Sequence, residues 1–245
     1  MTSPPPLAPS PRKLSVVMPC YNEVATLELI VARVVAADRM GLDLEILIVD
    51  DGSRDGTVDI AEKLARARPE MRLIRHPVNR GKGAAMRTGF AQTTGDIVLV
   101  QDADLEYSPA DYPKLLKPIL DGRADVVFGS RFRSADEARI LYFWHAAANK
   151  GLTLLSNMMT NLNLSDMETG YKVFCREIIS RISIKEDRFG FEPEITAKVA
   201  HLRPAPRIYE VGVSYSGRTY EEGKKIGFKD GIRALWCILR YNLFP

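Results

Sequence analysis

Gly95-Asp96-Ile97-Val98-Leu99-Val100-Gln101-Asp102-Ala103-Asp104-Leu105-Glu106-Tyr107 is the stretch on which the reading of this chain turns. The four apolar residues Ile97 to Val100 suit a strand buried on both faces, and they run directly into three acids, Asp102, Asp104 and Glu106. In extended backbone alternate side chains point the same way, so the three carboxylates are expected to converge where a parallel sheet ends and ligands usually bind. Such a cluster is costly without a positive charge. A hard divalent cation with oxygen ligands, Mg2+ or Mn2+, is its natural occupant and would in turn attract a diphosphate. A solvated acidic loop is the plain alternative, and this spacing alone does not exclude it.

The chain on either side has one rhythm. Leu14 to Met18, Leu44 to Val49, Met71 to Arg75 and Asp125 to Gly129 read as further strands. Between them lie helical patterns: Leu27, Ile30, Val31, Val34 and Val35 on one face, then Thr57 to Arg68 with Asp55 or Thr57 as cap. A small-residue helix ends near Phe90, and another starts at Pro109 and stops at Gly122. Strand starts about 25 to 30 residues apart predict βαβ units, hence an α/β fold with a mostly parallel central sheet flanked by helices. Right-handed crossovers then bring Tyr21 to Glu23, Asp50 to Ser53, Asn79 to Gly83 and Asp102 to Glu106 to one edge.

Beyond Ser134 the pattern changes. Ile140 to Ala148 and Leu152 to Met159 predict a long, weakly broken helical stretch. The motif Asp166 to Phe174 and the segment Arg188 to Glu194 precede a helix reaching about Ala200, and Ile208 to Val213 reads as a strand. A basic loop, Gly217 to Lys225, follows. Ile232 to Phe244 is rich in Leu, Ile, Trp and Tyr yet carries Arg233 and Arg240, which suits either a membrane interface or packing on the domain or a second subunit.

At 245 residues, 46% hydrophobic and 27% charged, with a formal net charge of +3, the chain suits one large globular domain and does not demand nucleic acid. Cys20, Cys175 and Cys237 have no CxxC spacing, which points to reduced thiols in the cytoplasm. His76, His145 and His201 read as packing or surface residues. Residues 1–12 are proline-rich without an apolar h-region and are expected to be a disordered tail; 13–231 would form the catalytic domain and 232–245 an amphipathic segment. No run of about 18 uncharged apolar residues occurs.

Six motifs in order then resemble one family, the inverting family 2 glycosyltransferases of the GT-A fold, and within it the polyprenyl-phosphate sugar transferases such as dolichyl-phosphate mannosyltransferase. They are Leu14 to Glu23, Asp50 to Ser53, Asn79 to Ala85, Asp102 to Glu106, Gly129 to Phe132 and Asp166 to Lys172. The resemblance implies that Pro19, Tyr21, Glu23, Asp50, Asp51 and Ser53 line the nucleoside of a nucleotide-sugar donor, with Asp50 accepting from a base N–H. Lys82, between two glycines, resembles a phosphate-contacting residue. Asp102, Asp104 and Glu106 carry over as the metal site, with Asp102 also beside the nucleotide; the family commonly has glutamine at the position of Glu106.

An anionic phosphate acceptor needs cationic positioning and no general base. Arg131, Arg218 and Lys224 match the positions for a lipid phosphate, a polyprenyl or dolichyl phosphate. Asp166 and Glu192 are candidates for positioning the sugar, or for the base if the acceptor is a hydroxyl. The implied enzyme takes a GDP- or UDP-linked hexose and works peripherally at the cytoplasmic face of a membrane, with a homo-oligomer possible. The alternatives are a saccharide or other hydroxyl acceptor on the same fold, and a non-catalytic nucleotide-sugar-binding module, against which the intact acid cluster argues.

Overall fold

The computed structural model describes residues 12–133, 139–140, 142–218 and 228–244. Chain order is β1 (Lys13–Cys20), α1 (Leu27–Ala36), β2 (Asp43–Asp50), α2 (Thr57–Ala67), β3 (Met71–Arg75), α3 (Lys82–Gln92) and β4 (Ile97–Val100). A 3-10 turn at Pro109–Asp111 leads into α4 (Tyr112–Leu120), then β5 (Val126–Ser130), α5 (Phe143–Thr160), β6 (Lys172–Cys175), α6 (Arg176–Ile179), α7 (Phe191–His201), β7 (Ile208–Gly212) and α8 (Phe228–Leu243). The strands form one seven-stranded sheet in the order β3-β2-β1-β4-β6-β5-β7. β1 pairs in parallel with β2 and β4, and β5 with β7, while β6 is antiparallel to both its neighbours.

Alternation along the strands builds two cores. Val16, Met18, Ile46, Ile48, Ile97 and Leu99 face α1 and α4, whereas Val17, Leu47, Val98, Val100, Phe128 and Phe174 face α3 and α7. A strand buried on both sides reads as an unbroken apolar run, which is why Ile97 to Val100 carries no polar residue. The small-residue character of α3 has a packing reason. A Cβ on Gly89 would lie 2.3 Å from Val17 Cγ1, so only glycine lets this helix sit so close to β1.

Strand β6 was not expected. The Lys172–Cys175 segment is a short part of a longer motif, yet it separates β4 from β5 and makes the sheet mixed. The two apolar runs around residue 150 form one helix, α5, in which Asn157 accepts from Leu164 N at 3.0 Å and donates to Leu164 O at 2.7 Å. Helix α8 packs on α7 and α5, with Cys237 and Tyr241 clustered against Ala197 of α7. Its other face exposes Ile232, Leu235, Trp236, Leu239 and Leu243. Cys20 and Cys237 are buried and Cys175 is half-buried. The proline-rich start, residues 1–11, lies outside the described residues, as does Lys224.

Candidate active site

The carboxyl ends of β1, β2 and β4 make one rim. Cys20 pairs with Asp50 and Val17 with Val100, so the polar residues after each strand emerge side by side. The turn after β2 is built on Asp50, whose Oδ2 accepts from Gly52 N and Ser53 N, both at 3.1 Å. Its Oδ1 is sealed from solvent and has no hydrogen-bond partner among the described residues. A buried acceptor left unmatched is expensive. Asp50 lines a cleft of about 480 Å³ with Ser53, Arg54, Arg75, His76 and Pro77.

Residues Tyr21 to Glu23 are stapled to this turn. Asn22 N donates to Ser53 Oγ at 2.9 Å, Arg54 N to Asn22 Oδ1 at 2.9 Å, and Glu23 N to Thr57 Oγ1 at 2.9 Å. Pro19, near the end of β1, lies opposite Val49, with Tyr21 half-buried just beyond. Glu23 Oε2 accepts from Thr26 Oγ1 at 2.7 Å and from Arg218 Nη2 at 2.9 Å.

Asp51, expected to face a nucleotide, is instead occupied within the protein. It accepts from Arg80 N and, at 2.6 Å, from Gly81 N, and its Oδ1 lies 2.7 Å from His76 Nδ1. His76 Nε2 is 2.9 Å from Thr88 Oγ1. Asp51 and His76 thus tie the end of β2 to the loop entering α3. Gly81 there has φ of +108°, and a Cβ on it would meet Asp187 O at 2.4 Å. This close fit delivers Lys82, the first residue of α3, into the rim.

Lys82 Nζ lies 2.9 Å from Asp102 Oδ1 and 2.9 Å from Glu192 Oε1 on α7. Burial disfavours its charge, but these two carboxylates outweigh that and raise its pKa well above the usual lysine value. The ammonium is therefore a fixed positive charge.

The three acids after β4 do not form the one-sided extended ladder that alternation predicts. Leu105 adopts φ of +65°, which breaks the extended backbone between Asp104 and Glu106. Glu106 turns to the segment after β7, where Oε2 accepts from Tyr215 Oη and Oε1 from Arg218 N, both at 2.8 Å. Among the described residues no three Asp, Glu, His or Cys side chains form a ready cation cage. The donor set still fits a divalent ion. Burial, then the charges of Asp102 and Glu106, push the Asp104 carboxyl up to about 7 against the pull of Arg218, a crowding of like charge that a cation relieves. Asp102 and Asp104 would supply two ligands, leaving positions for phosphate oxygens and water, as Mg2+ prefers.

Arg131 and Asp166 answer each other. Arg131 Nε and Nη2 donate to the two Asp166 oxygens at 2.7 Å each, and Arg131 N donates at 3.0 Å. Asn149 Nδ2 adds a bond at 3.2 Å. Burial works against the Asp166 charge, but the Arg131 hydrogen bonds and charge prevail and lower its pKa. The partner that the fold gives this buried carboxylate is the Arg131 guanidinium, held through both of its oxygens. The Arg131 guanidinium also lies 5.2 Å from the Tyr215 ring centroid, and its Nη1 makes no hydrogen bond among the described residues.

The glycosyl transferase family 2 profile matches residues 15–183. The chain belongs to that family. It is 29% identical over 216 residues to a dolichol-phosphate mannosyltransferase of Pyrococcus furiosus, an overlap covering 87% of this chain. That overlap spans 60% of the relative's length. To a polyprenol monophosphomannose synthase of Mycolicibacterium smegmatis it is 31% identical over 224 residues, covering 89% of this chain and 83% of the relative. Among solved structures, glucosyl-3-phosphoglycerate synthase from Mycobacterium tuberculosis, in complex with Mn2+ and uridine-diphosphate-glucose, aligns with a TM-score of 0.73 at 23% identity. The alignment covers 96% of this chain and 80% of that one, and the shared fold is GT-A.

In this family 2 chain the rim contains residues that spacing did not single out. Glu168 lies in the loop before β6, with Oε1 sealed and unpartnered among the described residues. Burial, then the nearby Glu192 charge, push its carboxyl up to about 8. Lys172 Nζ donates to Thr169 O and lies 5.4 Å from the Phe128 ring centroid. Burial and the Lys82 charge draw its ammonium down to about 8, against the opposing pull of Glu192 and Glu168. A carboxylate flanked by Met167, Thr169 and Gly170 carries no periodic signal, so only the folded proximity to Glu192 reveals it.

Proposed function

We propose that this chain transfers a hexose from a GDP- or UDP-linked sugar to a polyprenyl phosphate, with inversion, using Mg2+ or Mn2+. The observation that carries the reading is the sequence of groups along the rim: an unmatched acceptor at Asp50, a fixed cation at Lys82, then Asp102 and Asp104. A base, a diphosphate and the metal that binds it follow one another in the same order.

Each side chain has a task that follows from its surroundings. Asp50 Oδ1 accepts from the base N–H, while Oδ2 keeps the turn in shape. Lys82 offers its charge to the diphosphate, held in place by Glu192 and Asp102. The bound metal would stabilise the negative charge that develops on the departing nucleoside diphosphate. Arg131, oriented by Asp166 and stacked near Tyr215, directs Nη1 towards the acceptor phosphate, with Arg218 and Lys224 as further cations. A phosphate monoester is already anionic near neutral pH, so attack requires no base, in keeping with the engagement of Asp166 and Glu192 elsewhere.

The acceptor would be reached from a membrane surface. Helix α8 turns Ile232, Leu235, Trp236, Leu239 and Leu243 outwards, and α5, packed beside it, exposes Phe143 and Trp144. An aromatic-edged apolar face of this kind suits interfacial binding, and no helix among the described residues is long and apolar enough to cross a bilayer. The test is transfer itself. The purified chain with Mn2+ or Mg2+, a panel of nucleotide sugars and a polyprenyl phosphate should yield a lipid-linked hexose, detected by mass spectrometry. Glycosylation of a soluble hydroxyl acceptor, with none of the lipid phosphate, would overturn the reading.

A further inference from the structure

We propose that Glu168 reads the donor's hexose, hydrogen bonding to its ring hydroxyls; the inference rests on the donor site proposed above and adds the residue that distinguishes one sugar from another. Three sealed side-chain atoms lack partners among the described residues: Asp50 Oδ1, Glu168 Oε1 and Thr169 Oγ1. Unmatched buried polar atoms are uncommon in folded proteins. Asp50 stands at the nucleoside end of the rim. The other two are neighbours in the loop before β6.

Two contacts fix that loop against the acids. Gly170 N donates to Tyr107 Oη at 2.8 Å, and a Cβ on Gly170 would lie 2.4 Å from Asp102 Oδ2. The backbone therefore backs directly onto Asp102, and glycine is required for the approach. On the other side Glu168 is within electrostatic reach of Glu192, which holds Lys82 at 2.9 Å. Glu168 thus shares with Lys82 the neighbour Glu192, as the hexose of a nucleotide sugar adjoins its diphosphate.

The chemistry of the group suits that ligand. Sugar hydroxyls both donate and accept, and a carboxyl group accepts through its oxygens and, when protonated, donates as well. A site built to bond a hydroxyl also rejects analogues that misplace it, because its own buried atom is then left unmatched.

The experiment compares sugar-bearing and sugar-free ligands. UDP, UDP-glucose, UDP-galactose, GDP, GDP-mannose and GDP-glucose are titrated with Mn2+ against the wild-type chain, Glu168→Gln and Glu168→Leu, with thermal melting as the folding check. For the preferred sugar nucleotide, Glu168→Leu should weaken binding about 10–100-fold, with affinity for the bare nucleoside diphosphate within about twofold of wild type. The near-isosteric Glu168→Gln should lose less affinity and show altered preference between epimers. If Leu fails to fold, that change of preference in Gln decides the matter. Unaltered sugar discrimination in folded variants that still bind the diphosphate overturns the Glu168 assignment alone, and leaves Glu168 Oε1 facing ordered water. Failure of the wild type to bind any of the six nucleotides overturns the donor site, and this inference with it.

Discussion

Replacing Asp166 by asparagine separates a structural anchor from a catalytic base. The Asp166 carboxylate is fully buried, and the Arg131 side chain that it holds is only 13% exposed. Asparagine keeps the shape but leaves a guanidinium desolvated without its counter-charge. Removing one partner of a buried ion pair costs about 3–5 kcal/mol. At roughly 2–4 °C per kcal/mol for a domain of this size, the melting temperature should fall by about 6–20 °C. The pH dependence has a definite sign. The folded pKa of Asp166 lies below its unfolded value, so the stabilisation is fully present above the unfolded value near 4 and is lost as pH falls through the folded one. The gap between wild type and Asp166→Asn should therefore hold from about pH 5 to 8 and close in acid. Replacing both partners, Arg131→Met with Asp166→Leu, should recover much of the loss, since no charge is then stranded. Differential scanning fluorimetry across pH reads all of this. Melting of Asp166→Asn within about 2 °C of wild type at pH 7 would refute the reasoning.

Other sites make separate demands. Metal binding requires the Asp104 carboxylate without its proton, so Mn2+ affinity in the presence of nucleotide should rise about tenfold per pH unit towards pH 7 and then level; a flat profile, or unchanged binding in Asp104→Ala, would remove it as a ligand. A Cβ on Gly83 would meet Glu186 O at 2.2 Å, so Gly83→Ala should cost about 1–3 kcal/mol in urea unfolding and, by shifting Lys82, weaken nucleoside diphosphate binding. Retention of both properties would show that the loop entering α3 tolerates movement. Trp236→Glu with Leu239→Glu alters only exposed positions of α8 and should abolish co-sedimentation with anionic vesicles while leaving the melting temperature unchanged; continued sedimentation would place membrane contact elsewhere.

The parts of the fold legible in the sequence were those in which a local pattern and the tertiary outcome agree. Ile97 to Val100 and Leu44 to Val49 are apolar because both faces of the sheet are covered, and β3 has the bounds that its residues suggest. Strand β6 escaped because Lys172 opens it and its pairing is with strands distant in the chain, β4 and β5. In the site, residue types were readable but pairings were not. Nothing in the spacing joins Arg131 to Asp166, or His76 to Asp51, and both contacts change what those residues are free to do. The left-handed Leu105 had no glycine to announce it, so the bonds of Glu106 to Tyr215 and Arg218 were not legible in the spacing.

The nucleotide rim is tested most directly at Asp50. In Asp50→Asn the amide oxygen can take over the bonds from Gly52 N and Ser53 N, which turns the NH2 group towards the base and sets donor against donor. Calorimetric titration with UDP and GDP in the presence of Mn2+ should show binding of one of them by the wild type, weakened about 10–100-fold in the folded variant. Equal affinity in both proteins would contradict the assignment of the unmatched Asp50 oxygen to the base, and with it the order of groups along the rim.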